Sequence, residues 1–139
     1  MQGVADALWD AFHTQGVAWV GFYTADESRS ENERLILGPR RDKPACSPIA
    51  LHGVGGAAYN TGATQIVHDV ADLGENYVEC DPRDKSEIVV PLITDGGAVW
   101  AMLDVDSHEV GAFDESDDEG LRAVLAAAGF IVPAPRWRG

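Results

Sequence analysis

Residues 86–106 read SEIVVPLITDGGAVWAMLDVD, two apolar, β-branched runs separated by Asp95, Gly96 and Gly97. No other part of the chain constrains the fold as strongly. Such runs around a turn where positive φ is easy predict a β-hairpin, with strands over 86–93 and 98–106. Both runs are apolar on both faces, so the hairpin is expected near the middle of a sheet covered on each side.

The register carries chemical information. With Gly96 and Gly97 as a two-residue turn, Glu87 stands opposite Asp106; with Asp95 and Gly96, it stands opposite Asp104. Strand side chains alternate, so in either case Glu87, Asp104 and Asp106 share one face, with Val89, Trp100 and Met102 as its apolar remainder. A three-residue turn without a compensating bulge would break this deduction. Three adjacent carboxylates repel one another and resist desolvation, so they need a bound cation, a shared proton or open water at a strand end. Carboxylates also suit hard metal ions, but no EF-hand loop or supporting histidine accompanies them, and no metal is assigned.

The rest of the chain supplies a setting for that hairpin. Val4, Leu8 and Phe12, with Ala5 and Trp9, recur at four-residue steps and predict a first helix over 4–12. Residues 17–24 (VAWVGFYT) and 34–37 read as a second hairpin around the polar loop DESRSENE. Pro39, Pro44 and Pro48 place Cys46 on an extended or looped segment. Residues 52–62 (HGVGGAAYNTG) predict a short helix capped by glycine, and 64–68 a strand. Residues 69–85 are polar and aperiodic, a long loop that carries Cys80. Asp114 is a helix cap followed by Glu115, Asp117 and Asp118 in the first turn and by Leu121, Val124, Leu125 and Ala128. The acidic run 114–119 reads as a solvated helix start, and PAPRWRG as a frayed tail. Together these elements predict an α+β fold, a central antiparallel sheet with flanking helices.

A chain of 139 residues is expected to form one domain over 1–139. Its formal charge of −13 opposes nucleic acid and anionic membranes, whose affinity rests on Lys and Arg. No apolar run reaches the length of a membrane span, and the first residues do not read as a signal peptide, so a cytoplasmic location is expected. Two cysteines far apart cannot make a structural zinc site. Cys46 and Cys80 are then either two inert buried thiols or a redox pair. Glu79 and Asp81 disfavour a thiolate at Cys80, while Arg83 and Lys85 favour it. His13, His52, His68 and His108 are isolated in sequence and receive no role.

WVGFY (19–23), PACSPI around Cys46, GVGGAA (53–58), ECD (79–81), SEIVVPL (86–92) and LDVDS (103–107) resemble the free methionine-R-sulfoxide reductases, which have a GAF fold. The resemblance covers about residues 19–125, with the motifs in family order. It implies that Cys80 is the nucleophile attacking the sulfoxide sulfur and that Cys46 resolves the resulting sulfenic acid to a disulfide, which a thioredoxin-type reductant opens. It implies further that Glu87, Asp104 and Asp106 hold the ammonium and sulfoxide ends of the substrate. Trp19, against the substrate methyl group, and Tyr23 are implied as pocket aromatics. No cofactor is implied, and a homodimer is left open.

Two departures stand out. Many relatives carry a third cysteine where this chain has Gly55, which puts an auxiliary disulfide route in question. Relatives also often carry a longer helical N-terminus before the first strand. Two other functions compete with the enzyme: a GAF-type module that senses a small ligand, and a dimerisation module without one. A Cys46–Cys80 separation within disulfide reach favours the enzyme.

Overall fold

The computed structural model, which describes residues 1–41 and 45–134, has five antiparallel strands in the order β2-β1-β5-β4-β3. They are β1 (Val17–Ala25), β2 (Leu35–Arg41), β3 (Gln65–Val67), β4 (Ser86–Ile93) and β5 (Val99–Ser107). Helices α1 (Gln2–Phe12), α2 (Val54–Thr61) and α3 (Glu115–Ala127) complete an α+β fold. Among the described residues no helix is long and apolar enough to cross a membrane.

Alternation along the strands divides the core in two. Val20, Phe22, Ile88, Val90, Leu103 and Val105 join Leu8 of α1 and Leu125 of α3 on one face. Trp19, Tyr23, Val89 and Met102 join Val54 and Ala58 of α2 on the other. Each large apolar side chain so buried contributes about 1.5–3 kcal/mol over leaving it in water. The expectation that β4 and β5 are covered on both faces is met, with β5 at the centre of the sheet.

The β4–β5 turn differs in detail from either two-residue alternative. Thr94 N donates to Ala98 O at 2.8 Å, enclosing the three residues Asp95, Gly96 and Gly97. Gly97 takes φ +89°, open to glycine at little steric cost. A register shift next to the turn then compensates: Ile93 pairs with Val99, but Leu92 pairs with Ala101. Trp100 is the extra residue. Its ring lies 6.3 Å from Phe130, which packs against the α1/α3 core, so it does not join the acid face. Beyond the bulge Glu87 pairs with Asp106.

Two further expectations are corrected. β2 continues through Pro39 to Arg41, because it is an edge strand and a missing N–H costs an edge little. The acidic helix start is only partly solvated. Asp114 and Asp117 form a reciprocal cap, with Asp114 Oδ1 accepting from Ser116 N at 2.9 Å and Asp117 Oδ2 accepting from Asp114 N at 2.9 Å. Asp118, however, is fully buried, accepting from Thr64 Oγ1 at 2.6 Å and pairing with Arg122 at 3.2 Å. Pro44 and the tail from Pro135 lie outside the described residues.

Candidate active site

The sheet face beneath α2 holds the predicted acids because strand register leaves them no other direction. Glu87 pairs with Asp106 across β4 and β5, while Trp19 pairs with Asp106 and Gly21 with Asp104 across β1 and β5. Carboxylate oxygens of Glu87, Asp104 and Asp106 lie within 4.8 Å of one another. Asp104 is 9% exposed, and its Oδ1 has no hydrogen-bond partner among the described residues. Burial and then the charges of Asp106 and Glu87 hold the Asp104 carboxyl well above the ordinary carboxylate range. Burial, then Glu87 and Asp84, do the same to Asp106. Glu87 is raised by burial, but hydrogen bonds from Asp104 and Asp106 oppose the rise. The cluster therefore keeps protons at a pH where isolated carboxyls have lost them. Its oxygens are spaced to share a proton or receive a cation.

Trp19 owes its position to a neighbour that has no side chain. A Cβ on Gly21 would lie 2.2 Å from the indole Cη2, so the ring lies across Gly21, beside Asp104. Tyr23 donates its hydroxyl to the carbonyl of Cys46 at 2.9 Å. Burial, followed by the three nearby carboxylates, pushes the Tyr23 hydroxyl pKa up and keeps it a donor. The Cys46 segment is pinned further by the Leu35–Ile49 bridge and by Leu37 N donating to Ser47 Oγ at 3.0 Å.

The long loop closes over the same face. Lys85 N donates to Ser107 O and Val70 N to Lys85 O, each at 2.8 Å, which anchors the loop's end to β5. At its inner side a Cβ on Gly53 would lie 2.8 Å from Val78 Cγ2, so glycine at the start of α2 lets the loop approach. Cys80 is thereby brought to Cys46, with Cα atoms 5.6 Å apart and the sulfurs joined as a disulfide. Cys46 is half-buried and Cys80 exposed.

Between the disulfide loop, α2 and the acid face lies a cavity of about 290 Å³. Trp19, Tyr23, Cys80, Glu87, Asp104 and Asp106 all line it; Cys46 meets it through its bond to Cys80. Sequence reasoning missed Tyr77 and Asp84 as lining residues. Tyr77 lines the cavity together with the acids, and burial and then Glu87 and Asp84 raise its hydroxyl pKa. An aromatic in an otherwise polar, aperiodic loop was the available signal. The local charges at Cys80 also resolve: Arg83 grips both carboxylate oxygens of Asp81, at 3.1 and 3.0 Å. Gly55 lines the cavity too, and a Cβ there would lie 3.1 Å from Leu35 and 3.3 Å from Met102.

A family model described as a GAF domain matches residues 1–132. The free methionine-R-sulfoxide reductase of Saccharomyces cerevisiae is 38% identical over 124 residues, covering 87% of this chain and 67% of that protein. The enzyme of the same name from Escherichia coli is 35% identical over 111 residues, 79% of this chain and 63% of that protein. The chain thus spans about two thirds of the length of these relatives. The X-ray structure of the free methionine-R-sulfoxide reductase from Neisseria meningitidis in complex with its substrate superposes with a TM-score of 0.77 at 35% identity, covering 91% of this chain and 73% of that one.

Proposed function

The chain belongs to the free methionine-R-sulfoxide reductases of the GAF domain family, and from that premise we propose that it reduces free methionine-R-sulfoxide to methionine, with Cys80 as nucleophile and Cys46 as resolving thiol. One observation carries the reading: the Cys46–Cys80 pair, bonded to one another, stands at a cavity also lined by the clustered carboxyl groups of Glu87, Asp104 and Asp106.

The chemistry follows from that arrangement. A free amino acid brings an ammonium that offsets part of the acid cluster, and a retained proton on Asp104 or Asp106 donates to the sulfoxide oxygen. Trp19 supports the methyl group, and Tyr23 fixes the segment that carries Cys46. The Cys80 thiolate attacks the sulfoxide sulfur; oxygen and a proton pass to Cys80 as a sulfenic acid, and methionine leaves. The Cys46 thiol then displaces water from that sulfenic acid, forming the disulfide. A thioredoxin-type dithiol, supplied by a reducing compartment such as the cytoplasm, returns two electrons and two protons.

Separated R and S epimers of free methionine sulfoxide, incubated with the protein and a dithiol, test the proposal. Consumption of the R epimer alone, with methionine formed in equal amount, is expected. A protein that binds methionine sulfoxide without consuming either epimer is a ligand-sensing GAF module instead.

A further inference from the structure

His108 follows β5 directly, two residues beyond Asp106. Its Nε2 lies 3.6 Å from Asp81 Oδ2 and 3.6 Å from Asp84 Oδ1. Those two carboxylates bracket the turn immediately after Cys80, and their side chains are 12% and 11% exposed. The turn is already closed on itself, since Arg83 N donates to Asp81 Oδ1 at 3.0 Å and Asp84 N to Asp81 O at 3.1 Å. Those bonds shape the turn itself, and Lys85 N, just beyond it, ties the loop's end to Ser107 O of β5; His108 adds a tie nearer Cys80. His108 acts between the two bodies.

We propose that His108 is a positioning residue: its imidazolium, set between Asp81 and Asp84, holds the turn that carries Cys80 against the strand that carries Asp104 and Asp106 when the Cys46–Cys80 bond is open. The distance of 3.6 Å is too long for a hydrogen bond and suits an ion pair, so the tie depends on charge. It matters most in the reduced protein. With the disulfide formed, Cys80 is held covalently; with it reduced, the nucleophile sits on an exposed turn whose attachment sets how often it meets Cys46. Among the described residues, Asp81 and Asp84 are the carboxylates within 4 Å of the imidazole. The tie therefore depends on a positive charge held at position 108, between Asp81 and Asp84.

The experiment equilibrates the Cys46–Cys80 disulfide with dithiothreitol and quantifies protein thiols by mass spectrometry after acid quench and alkylation. One dithiothreitol closes to its ring disulfide, and Cys46 and Cys80 each gain a proton and become thiols. A looser turn lowers the effective concentration of the two sulfurs and shifts the balance to the dithiol. His108→Ala is expected to shift it roughly threefold, the scale of one or two exposed ion pairs. His108→Lys, which keeps a positive charge there, should resemble wild type. No shift in His108→Ala, or a lysine variant that behaves like alanine, each overturns the proposal. The proposal rests on Cys80 as the nucleophile of the reaction above, but the equilibrium is read without substrate. A protein that fails to reduce methionine sulfoxide yet shows the His108→Ala shift and its rescue by lysine refutes the proposed function and leaves the positioning role standing.

Discussion

Glu87 on β4 stands opposite Asp106 on β5 in the ladder, on a sheet face that is otherwise apolar. Two carboxyls in that relationship, with Asp104 beside them, favour shared protons in the empty protein. They gain a partner when an ammonium arrives.

Replacing Asp104 with Asn should therefore separate activity from stability. Loss of a buried charge partner for the substrate lowers kcat/KM by about 100-fold or more, on the scale of roughly 3 kcal/mol. The empty fold keeps or gains melting temperature, because repulsion with Glu87 and Asp106 is relieved. Full activity with unchanged stability would make the acids mere solvated strand ends.

The same relationship fixes a pH dependence. In the unfolded chain Asp104 and Asp106 lose their protons near pH 4. In the folded chain burial and neighbouring carboxylates hold them on to higher pH. The folded state then binds more protons than the unfolded state above pH 4, so this contribution to stability falls as pH rises and is harmless in acid. The melting temperature of Asp104→Asn minus that of wild type should grow with pH in a series of calorimetric scans. A constant difference contradicts the shifts.

Gly21→Ala tests whether the indole position matters. The new methyl group would meet the Trp19 ring at 2.2 Å, so the ring must move off its place beside Asp104. Overpacking of this kind costs about 2 kcal/mol. A displaced pocket wall should lower kcat/KM on the order of 10- to 100-fold. Steady-state kinetics with a melting curve read both; activity at the wild-type level would remove Trp19 from the substrate site.

Asp118→Ala should do the reverse. It takes the buried carboxylate away from half-buried Arg122 and Thr64, none of which lines the cavity, and costs about 3 kcal/mol. That lowers Tm on the order of 10 °C, while kcat/KM at 25 °C stays within about twofold of wild type.

How much of this was legible in the sequence depends on which forces acted. The shared face of Glu87, Asp104 and Asp106 followed from strand alternation alone, and it survives because the Trp100 bulge cancels the three-residue turn. The bulge itself was invisible: Trp100 fits either face, and only packing against Phe130 decides. The Cys46–Cys80 pairing came from family resemblance, since two loops without periodicity carry no register. Asp118 reads as solvated and His108 receives no role, because a lone charge in sequence gives no sign of Thr64, 54 residues away, or of the turn at Asp81. β2 outran its expected end because the penalty for Pro39 depends on lying at a sheet edge.

The central claim is that Cys80 strikes the substrate and Cys46 follows. Its most direct test is a single turnover without added reductant, comparing prereduced wild type, Cys46→Ser and Cys80→Ser on free methionine-R-sulfoxide. Wild type and Cys46→Ser should each release methionine stoichiometric with protein, the first ending as a disulfide and the second as a sulfenic acid trapped by dimedone. Cys80→Ser should release none. Equal methionine release by Cys80→Ser and wild type would contradict the account.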